Sequence, residues 1–243
     1  MLQLCECFLS IQGETTHAGW PCAFLRLAGC NLDCRWCDTA YARDEPGEPI
    51  TVEACIERVE ALGVPLVSIT GGEPLLQDET PVLAAALSER GYTVLVETNG
   101  SLDIDRIAPP ALRILDLKPP SSGCDGRMDW SNLARLRTGD ELKIPVANRE
   151  DYDWTRRVLR DADDCRSNCT ESSGRTAPAA SETAIPRYRE QPDGPTRHPR
   201  LLLRRRGCGA RLRQRLLVDP GRRPDAGDAP GRGGACPALP ATL

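Results

Sequence analysis

The sequence predicts an α/β protein built around a parallel sheet. Two observations carry this prediction: short apolar runs of strand length alternate with segments of helical periodicity, and turn residues follow each run. This alternation favours a parallel sheet, because parallel neighbours need a crossover connection. The composition agrees, since 243 residues with 40% hydrophobic content can bury a substantial core.

The predicted elements run from residue 2 to residue 162. The five predicted strands cover residues 23–28, 66–70, 93–97, 114–118 and 141–146. Apolar residues at helical spacing predict a helix between Thr51, a residue type favoured at N-caps, and Gly63, a residue type common at helix ends. Further helices are predicted around residues 82–87, before Gly91, and over residues 132–136 and 151–159.

Four consecutive strand ends carry polar, Gly-rich or Cys-rich sequence. These are residues 29–30, 70–74, 97–100 and 116–122. Each segment alone is compatible with an ordinary turn, because Gly and Pro are common turn residues. The carboxyl ends of parallel strands share one edge of the sheet, and ligands bind there in such folds. We therefore expect the functional site at this edge.

Residues 165–243 differ from the rest of the chain. Residues 1–164 carry a net charge of −12, whereas residues 165–243 carry +8 and hold one of the ten aromatic residues. Periodicity is lost there, apart from short Leu and Arg mixtures at 201–206 and 212–218. We therefore predict a folded domain over 1–164 and an irregular, Arg/Pro/Gly/Ala-rich tail over 165–243. Three interpretations of the tail stay open: a disordered basic linker, a nucleic-acid-binding arm, or out-of-frame translation of a GC-rich gene. Only the last accounts for composition, charge and lost periodicity together.

The sequence predicts a cytoplasmic protein with no membrane partner. No apolar run approaches the roughly 18 residues that a membrane span needs, and the first residues lack the basic start of a signal peptide. In the cytoplasm the 12 cysteines would stay reduced, which favours metal ligands or buried thiols over disulfides. The presence of only two histidines argues against a histidine-rich metal site.

The most specific motif is the C-x3-C-x2-C spacing of Cys30, Cys34 and Cys37. Thiolates suit iron-sulfur clusters or zinc, and three thiols leave one iron of a four-iron cubane open to a small chelating molecule. Structural zinc is the alternative, with Cys22 or Cys124 as the fourth ligand. We interpret the cysteines in apolar settings as small core residues, and these are Cys5, Cys7, Cys22 and Cys55. We assign no role to the cysteines of the tail, which are Cys165, Cys169, Cys208 and Cys236.

These motifs resemble the radical S-adenosylmethionine (SAM) superfamily and, within it, the 7-carboxy-7-deazaguanine synthase family. The resemblance covers about residues 2–162 and is carried by Ser-Ile-Gln-Gly-Glu at 10–14, Phe-Leu-Arg-Leu-Ala-Gly-Cys at 24–30, Cys-Asp-Thr at 37–39, Glu-Thr-Asn-Gly at 97–100 and Asp-Leu-Lys through Ser-Ser-Gly at 116–123. It implies a partial (βα)6-type radical SAM barrel, truncated after about five strands, with 1–164 as the catalytic domain.

The resemblance also implies the chemistry. Cys30, Cys34 and Cys37 would hold a [4Fe–4S] cluster whose open iron binds SAM, and the resulting radical would start the ring contraction of 6-carboxy-5,6,7,8-tetrahydropterin to 7-carboxy-7-deazaguanine with loss of ammonia. This step belongs to queuosine and 7-deazapurine biosynthesis. No catalytic residue is expected beyond the cluster and the cofactor, because the cofactor performs the hard chemistry.

Residue roles follow from the same resemblance. The expected SAM contacts are Trp36, Cys37, Asp38, Gly72, Glu73 and Lys118. The expected substrate contacts are Ile11, Gln12, Gly13, Arg26 and Thr70, with Arg26 offering a fork to the substrate carboxylate. Thr39 is expected to ligate Mg²⁺ through its hydroxyl, which otherwise suits an N-cap or a turn.

The resemblance further implies an electron donor such as flavodoxin or ferredoxin and a homodimer. We expect no nucleic-acid partner, because the predicted folded domain is acidic. Two other functions stay open: another radical SAM enzyme, such as a glycyl-radical activase, and a structural zinc or nucleic-acid-binding protein. The family pattern is broken after residue 162, where neither its further strand nor its terminal Leu-x-Leu-Gln-Leu-His-like segment is found.

Overall fold

A computed structural model describes residues 1–171, 200–204 and 213–217, with side chains described through residue 160. Its described strands form one open sheet in the order β3-β1-β2-β4-β5-β6-β7-β8-β9. The strands are β1 (Leu2–Ile11), β2 (Pro21–Leu27), β3 (Glu48–Ile50), β4 (Leu66–Gly71), β5 (Thr93–Thr98), β6 (Leu112–Asp116), β7 (Glu141–Pro145), β8 (Arg200–Arg204) and β9 (Arg213–Leu217).

The five strands predicted from sequence form the parallel centre of the sheet. Strands β2, β4, β5, β6 and β7 pair in parallel in that order. Their side chains alternate between two faces: Ala23, Leu25 and Leu27 are buried in the main hydrophobic core, whereas Cys22 belongs to a smaller cluster with Leu66 and Leu95. The predicted α/β fold with a parallel sheet is confirmed.

Helices connect the parallel strands and cover the sheet. They are α1 (Ala40–Asp44), α2 (Val52–Leu62), α3 (Thr80–Glu89), α4 (Asn132–Arg135) and α5 (Arg149–Glu171). The predicted ends of α2 are confirmed: the Thr51 side chain accepts a hydrogen bond from the Ala54 N–H, and Gly63 adopts the left-handed conformation with φ of 66°. Apolar residues of α2 and α3 contribute to the same core as β2.

The structure adds antiparallel strands on both sides of the parallel centre. Strand β1 pairs with β2 through the hairpin at residues 12–20, and β3 pairs with β1 at the edge. Strands β8 and β9 follow β7 at the other edge. They coincide with the two Leu and Arg mixtures, to which the sequence pattern assigned no element. Sequence periodicity missed β1 because four of its ten residues are only partly buried and burial does not alternate along the strand.

Helix α5 continues to Glu171 and so crosses the domain boundary predicted after residue 164. The boundary itself stays a prediction, and most of the predicted tail, including Cys208 and Cys236, lies outside the described residues. None of the helices in the described part of the chain is both long enough and apolar enough to cross a membrane.

Candidate active site

The three cysteines of the motif lie on the loop that follows β2, at the carboxyl end of the parallel strands. Cys30 and Cys34 are half-buried against the hydrophobic core, whereas Cys37 is exposed. The Cys37 N–H donates a hydrogen bond to the Cys34 carbonyl over 3.1 Å, which closes the turn between them. The structure therefore places three thiols on one short loop, at the edge where the sequence predicted a site.

Hydrogen bonds from the cysteine loop itself and from the end of β5 hold the first cysteine. The Cys30 Sγ accepts hydrogen bonds from the Leu32 N–H at 3.4 Å and from Asn99 Nδ2 at 3.7 Å. Asn99 Nδ2 also donates to Asn31 Oδ1 at 3.1 Å. Hydrogen bonds to ligand sulfurs stabilise negative charge and tune the potential of an iron-sulfur cluster. The sequence analysis assigned no role to Asn99, although this residue lies in one of the motifs at the strand ends.

Burial keeps the Cys30 and Cys34 thiols neutral in the absence of metal. Burial raises the pKa of Cys30 above its ordinary value. Burial, with a contribution from the neighbouring Cys124 thiol, raises the pKa of Cys34 to about 12. Because a metal binds the thiolate, cluster binding must displace these protons.

The Gly-Gly-Glu loop after β4 packs directly on the backbone that leads to Cys30. The Gly72 N–H donates to the Leu27 carbonyl at 3.0 Å. A Cβ built on Gly72 would lie 2.0 Å from the Gly29 carbonyl oxygen, so only glycine allows this approach. The sequence interpretation was that Gly72 leaves room for the SAM amino group. The structure shows that the Cβ position is filled by backbone, and the SAM contact stays a prediction.

Glu73 ties the ends of β4 and β5 together. Its carboxylate is buried and accepts hydrogen bonds from the Leu75 N–H at 2.9 Å, Thr98 Oγ1 at 2.8 Å and the Asn99 N–H at 2.6 Å. Burial raises the pKa of Glu73, although these donors oppose the shift. The predicted hydrogen bond to the SAM ammonium remains untested, and three protein donors already surround this carboxylate.

Trp36 and Lys118 share one wall of the cysteine loop. The Trp36 indole Nε1 donates to Ser121 Oγ at 3.0 Å, and the Lys118 Nζ lies 5.7 Å from the centroid of the Trp36 ring. Asp38 is exposed beside Cys37. The structure therefore brings the predicted SAM contacts Trp36, Asp38 and Lys118 together around the three thiols.

Thr39 occupies the N-cap position of α1, but its side chain makes no capping hydrogen bond. Its Oγ1 lies 3.9 Å from the Cys37 Sγ. The capping function that the sequence left open is therefore not performed by the hydroxyl, which stays near the cysteine loop.

The predicted substrate loop, residues 11–13, enters the β1–β2 hairpin. Ile11 is 58% exposed, whereas Gln12 is buried. The Gln12 backbone is used within the hairpin, where its N–H donates to the Trp20 carbonyl at 2.9 Å. Its Oε1 accepts from the Glu14 N–H at 3.0 Å, but its buried Nε2 has no hydrogen-bond partner among the described residues. An unsatisfied buried donor costs about 1–3 kcal/mol, so this amide suits an acceptor on a ligand.

Arg26 and Thr70 are cross-strand neighbours on β2 and β4. The Arg26 Nε donates to Glu6 Oε1 at 2.7 Å, and its guanidinium lies 5.7 Å from the Phe8 ring centroid. Its terminal nitrogens have no hydrogen-bond partner within the part of the chain that the structure describes. Gly13 is exposed, with nothing within 4 Å of a Cβ built on it.

A cluster of charged side chains, most of them buried, was not predicted as a site by the sequence analysis. The Lys143 Nζ contacts Asp116 Oδ2 at 2.7 Å, Glu14 Oε2 at 2.7 Å and Glu97 Oε2 at 3.4 Å. Ser68 Oγ donates to Glu97 Oε1 at 2.9 Å. We call Glu14, Ser68, Glu97, Asp116 and Lys143 the polar layer. A signal was present, since charged residues interrupt otherwise apolar strands near their carboxyl ends.

The ionisation of the polar layer is set by its mutual contacts. Burial alone lowers the pKa of Lys143, but Asp116 and Glu97 outweigh burial and leave it above the ordinary value. Burial raises the pKa of Asp116, but Lys118 and Lys143 outweigh that effect and hold it below the ordinary value. Lys143 and Asp116 are therefore both charged at neutral pH, and the polar layer presents charges in fixed orientations.

A single-ion zinc site is not formed at these cysteines. Within the described ranges, no three His, Cys, Asp or Glu side chains converge closely enough to hold one metal ion. Of the two candidate fourth ligands, Cys22 lies in the separate small cluster with Leu66, whereas Cys124 lies in the main core beside Cys34. A cubane instead bonds each cysteine to a different iron, so its ligands need not converge on one point.

Comparisons with known proteins identify the family. A model described as the radical SAM superfamily matches residues 25–116. A 7-carboxy-7-deazaguanine synthase from Chlorobaculum tepidum is 47% identical over 161 residues, which cover 65% of this chain and 73% of the relative. The chain belongs to the 7-carboxy-7-deazaguanine synthase family. A synthase of the same name from Koribacter versatilis is 38% identical, with 65% of this chain and 71% of the relative covered.

The fold comparison agrees with the family assignment. The crystal structure of QueE from Escherichia coli matches with a TM-score of 0.54 and 24% identity, covering 65% of this chain and 77% of that chain. At this identity the match shows the fold. Membership of the radical SAM superfamily implies a [4Fe–4S] cluster and SAM as cofactors, and it sets aside the zinc and nucleic-acid-binding interpretations. The synthase relatives set aside the glycyl-radical activase, which is itself a radical SAM enzyme. Mg²⁺ and the role of each site residue stay predictions for this family member.

Proposed function

We propose that this chain catalyses the radical ring contraction of 6-carboxy-5,6,7,8-tetrahydropterin to 7-carboxy-7-deazaguanine, with loss of ammonia, in queuosine or another 7-deazapurine pathway. One observation carries the proposal: a loop with three thiols and a buried polar layer lie at the same strand ends in a chain that belongs to the 7-carboxy-7-deazaguanine synthase family.

The residues present fit both cofactors. Cys30, Cys34 and Cys37 would hold the cluster, because three soft thiols on one loop leave a fourth iron free for SAM. SAM would lie against the wall formed by Trp36 and Lys118 and against Asp38, Gly72 and Glu73. When bound, the reduced cluster and SAM supply the radical that removes a hydrogen atom from the substrate. The chain itself must orient the substrate and exclude water.

The polar layer fits a pterin. The amino group and ring N–H on one edge of a pterin are donors, and the Glu14 and Glu97 carboxylates are acceptors of matching type. The unsatisfied Gln12 Nε2 suits the pterin carbonyl oxygen. The terminal nitrogens of Arg26 suit the substrate carboxylate, and Thr70 lies across from Arg26. Ile11 and Gly13 would contribute through backbone groups.

Thr39 is the residue that we propose for Mg²⁺. Its hydroxyl is not used in capping, and Mg²⁺ keeps most of its waters while taking few protein oxygens. The substrate carboxylate would supply a further oxygen. The ion would thereby fix the substrate beside the cysteine loop.

The Thr39→Ala variant tests this assignment. We expect turnover to lose its dependence on added Mg²⁺, because the variant has no side-chain oxygen for the ion, while iron content stays that of the unmodified chain. Thr39→Ser is the matched control and keeps the dependence, because it keeps the hydroxyl. An unchanged magnesium response in Thr39→Ala rejects Thr39 as the ligand.

The proposed reaction is tested by anaerobic turnover of the reconstituted chain with the carboxytetrahydropterin, SAM and a reductant. We expect a carboxylated deazaguanine and ammonia in equal amounts. A chain that cleaves SAM but releases no ammonia from this substrate contradicts the proposed substrate. We further propose that the chain acts in the cytoplasm as a homodimer with flavodoxin or ferredoxin as electron donor, as the resemblance to its family implies.

A further inference from the structure

A chain of hydrogen bonds links the start of helix α5 to the cysteine loop. The Trp36 Nε1 donates to Ser121 Oγ at 3.0 Å, and Ser121 Oγ donates to Asp151 Oδ2 at 2.6 Å. The Ser121 N–H also donates to Asp151 Oδ1 at 3.0 Å. Asp151 lies in the first turn of α5 and is buried. Residues that are 115 positions apart along the chain are thereby joined through one hydroxyl.

The donor and acceptor chemistry fixes the direction of this chain. An indole N–H can only donate, and an ionised carboxylate can only accept. Ser121 Oγ must therefore accept from Trp36 and give its single proton to Asp151. A hydrogen bond to a carboxylate is stronger than one between neutral groups, so the hydroxyl is held in one orientation. The indole is consequently held in one orientation as well.

We infer that Asp151 and Ser121 are positioning residues for Trp36 and, through it, for the SAM site. This inference rests on the proposed function, because it needs SAM beside the cysteine loop. Trp36 lies between Cys34 and Cys37, and its ring lies below the Lys118 ammonium at 5.7 Å. Rotation of the indole would move the surface that SAM is proposed to contact and would displace this cation.

A second contact ties the same two loops together. The Arg35 N–H donates to the Ser122 carbonyl at 3.0 Å, so the residues before the indole are also fixed to the segment that holds Ser121. Asp151 additionally accepts from the Ala147 N–H at 2.9 Å, which closes the turn from β7 into α5. Asp151 therefore stabilises the turn into α5 and also ends the hydrogen-bond chain from Trp36. Removing the Ser121 hydroxyl or the indole N–H breaks this hydrogen-bond chain without changing the turn, so the two roles can be tested separately.

Binding of SAM to the anaerobically reconstituted, reduced chain tests the inference through the change that SAM causes in the electron paramagnetic resonance signal of the cluster. We expect Ser121→Ala to raise the Kd for SAM about tenfold, because one hydrogen bond that orients the indole is lost. Iron content should stay that of the unmodified chain. Asp151→Asn should weaken SAM binding in the same direction. Asp153→Asn is the matched control on α5, because the Asp153 side chain is 40% exposed and pairs with Arg149 on the same helix face. This variant should bind SAM like the unmodified chain.

A double variant separates positioning from a general structural role. In Trp36→Phe the indole N–H is absent, so adding Ser121→Ala should change the Kd for SAM by less than twofold. A general loss of structure would instead add to the first effect. In the cluster-free chain, Ser121→Ala should accelerate hydrogen exchange of one indole N–H, which labelled tryptophan reports by nuclear magnetic resonance.

The outcomes of this experiment are distinct. Wild-type SAM affinity in Ser121→Ala, with the unmodified chain responding to SAM, overturns the inference and leaves the proposed function intact. An unmodified chain that shows no response to SAM overturns both. If Asp151→Asn does not fold, Ser121→Ala and Trp36→Phe still decide the question.

Discussion

Replacing Gly72 with alanine is expected to abolish cluster binding. The added Cβ would lie 2.0 Å from the Gly29 carbonyl oxygen and 2.9 Å from the Cys30 Cβ. Both neighbours belong to the backbone segment that carries the first cysteine, so the clash cannot be relieved by rotating a flexible side chain. Overpacking typically costs about 1–3 kcal/mol of unfolding free energy, and we expect a cost at the upper end of this range because backbone must move. We expect a lower Tm and, after anaerobic reconstitution, iron and sulfide near the background of a Cys30→Ala variant.

Gly126→Ala is the control for this prediction. A Cβ at Gly126 meets no atom within 4 Å, and its φ is not in the left-handed region. Its iron content and Tm should stay those of the unmodified chain. A Gly72→Ala variant that binds four irons per chain and unfolds at the original temperature would show that the two loops are not packed as described.

Replacing Lys143 with methionine is expected to lower the stability of the chain strongly and to abolish substrate binding. The buried ammonium contacts Glu14, Glu97 and Asp116, and its removal leaves carboxylates buried without this cation. Removing one partner of a buried ion pair costs about 3–5 kcal/mol of unfolding free energy. Substrate binding should also fail, because the polar layer would lose its geometry. Urea unfolding and equilibrium binding of the carboxytetrahydropterin measure the two effects.

The loss of unfolding free energy in Lys143→Met should depend on pH in a defined direction. Asp116 has a lowered pKa in the folded chain, so its contribution to stability is present above its unfolded pKa and is lost as pH falls through the folded value. Without Lys143, Lys118 alone opposes the effect of burial, so the pKa of this carboxylate rises relative to that in the unmodified chain. Protonation of the carboxylate then removes part of the destabilisation. The difference in unfolding free energy should therefore shrink between pH 7 and about pH 4.

Arg58→Met is the control, because Arg58 pairs with Glu48 at an exposed position. An exposed ion pair contributes about 0–1 kcal/mol, so this variant should stay close to the unmodified chain at every pH. An equal loss of stability in Lys143→Met and Arg58→Met would contradict the view that the polar layer depends on its buried cation.

Local pattern was enough to predict the centre of the fold. The five parallel strands could be predicted because each is a short apolar run between turn residues, and α2 because Thr51 and Gly63 mark its ends. Strand β1 could not be predicted in this way. Its pairing depends on the hairpin to β2 and on β3 at its outer edge, and its mixed burial gives no clean alternation.

The part of the candidate site that could be predicted is the part whose residues follow a recognisable sequence spacing. Cys30, Cys34 and Cys37 are recognisable from their intervals alone. The polar layer was not predictable, because Glu14, Asp116 and Lys143 come from separate elements and meet only when the strands pair. Asp151 was missed for the same reason, since its connection to Trp36 passes through Ser121 on another loop. The sequence shows that charged residues interrupt apolar strands, but it does not show which of these side chains meet in the folded chain.

The central claim is that three thiols of this chain hold a [4Fe–4S] cluster with one iron open to SAM. The direct measurement is anaerobic reconstitution followed by iron, sulfide and zinc analysis and by electron paramagnetic resonance of the reduced chain with and without SAM. The account predicts about four irons and four sulfides per chain and a signal that changes when SAM is added. One zinc without sulfide, or a cluster signal that SAM leaves unchanged, would contradict it.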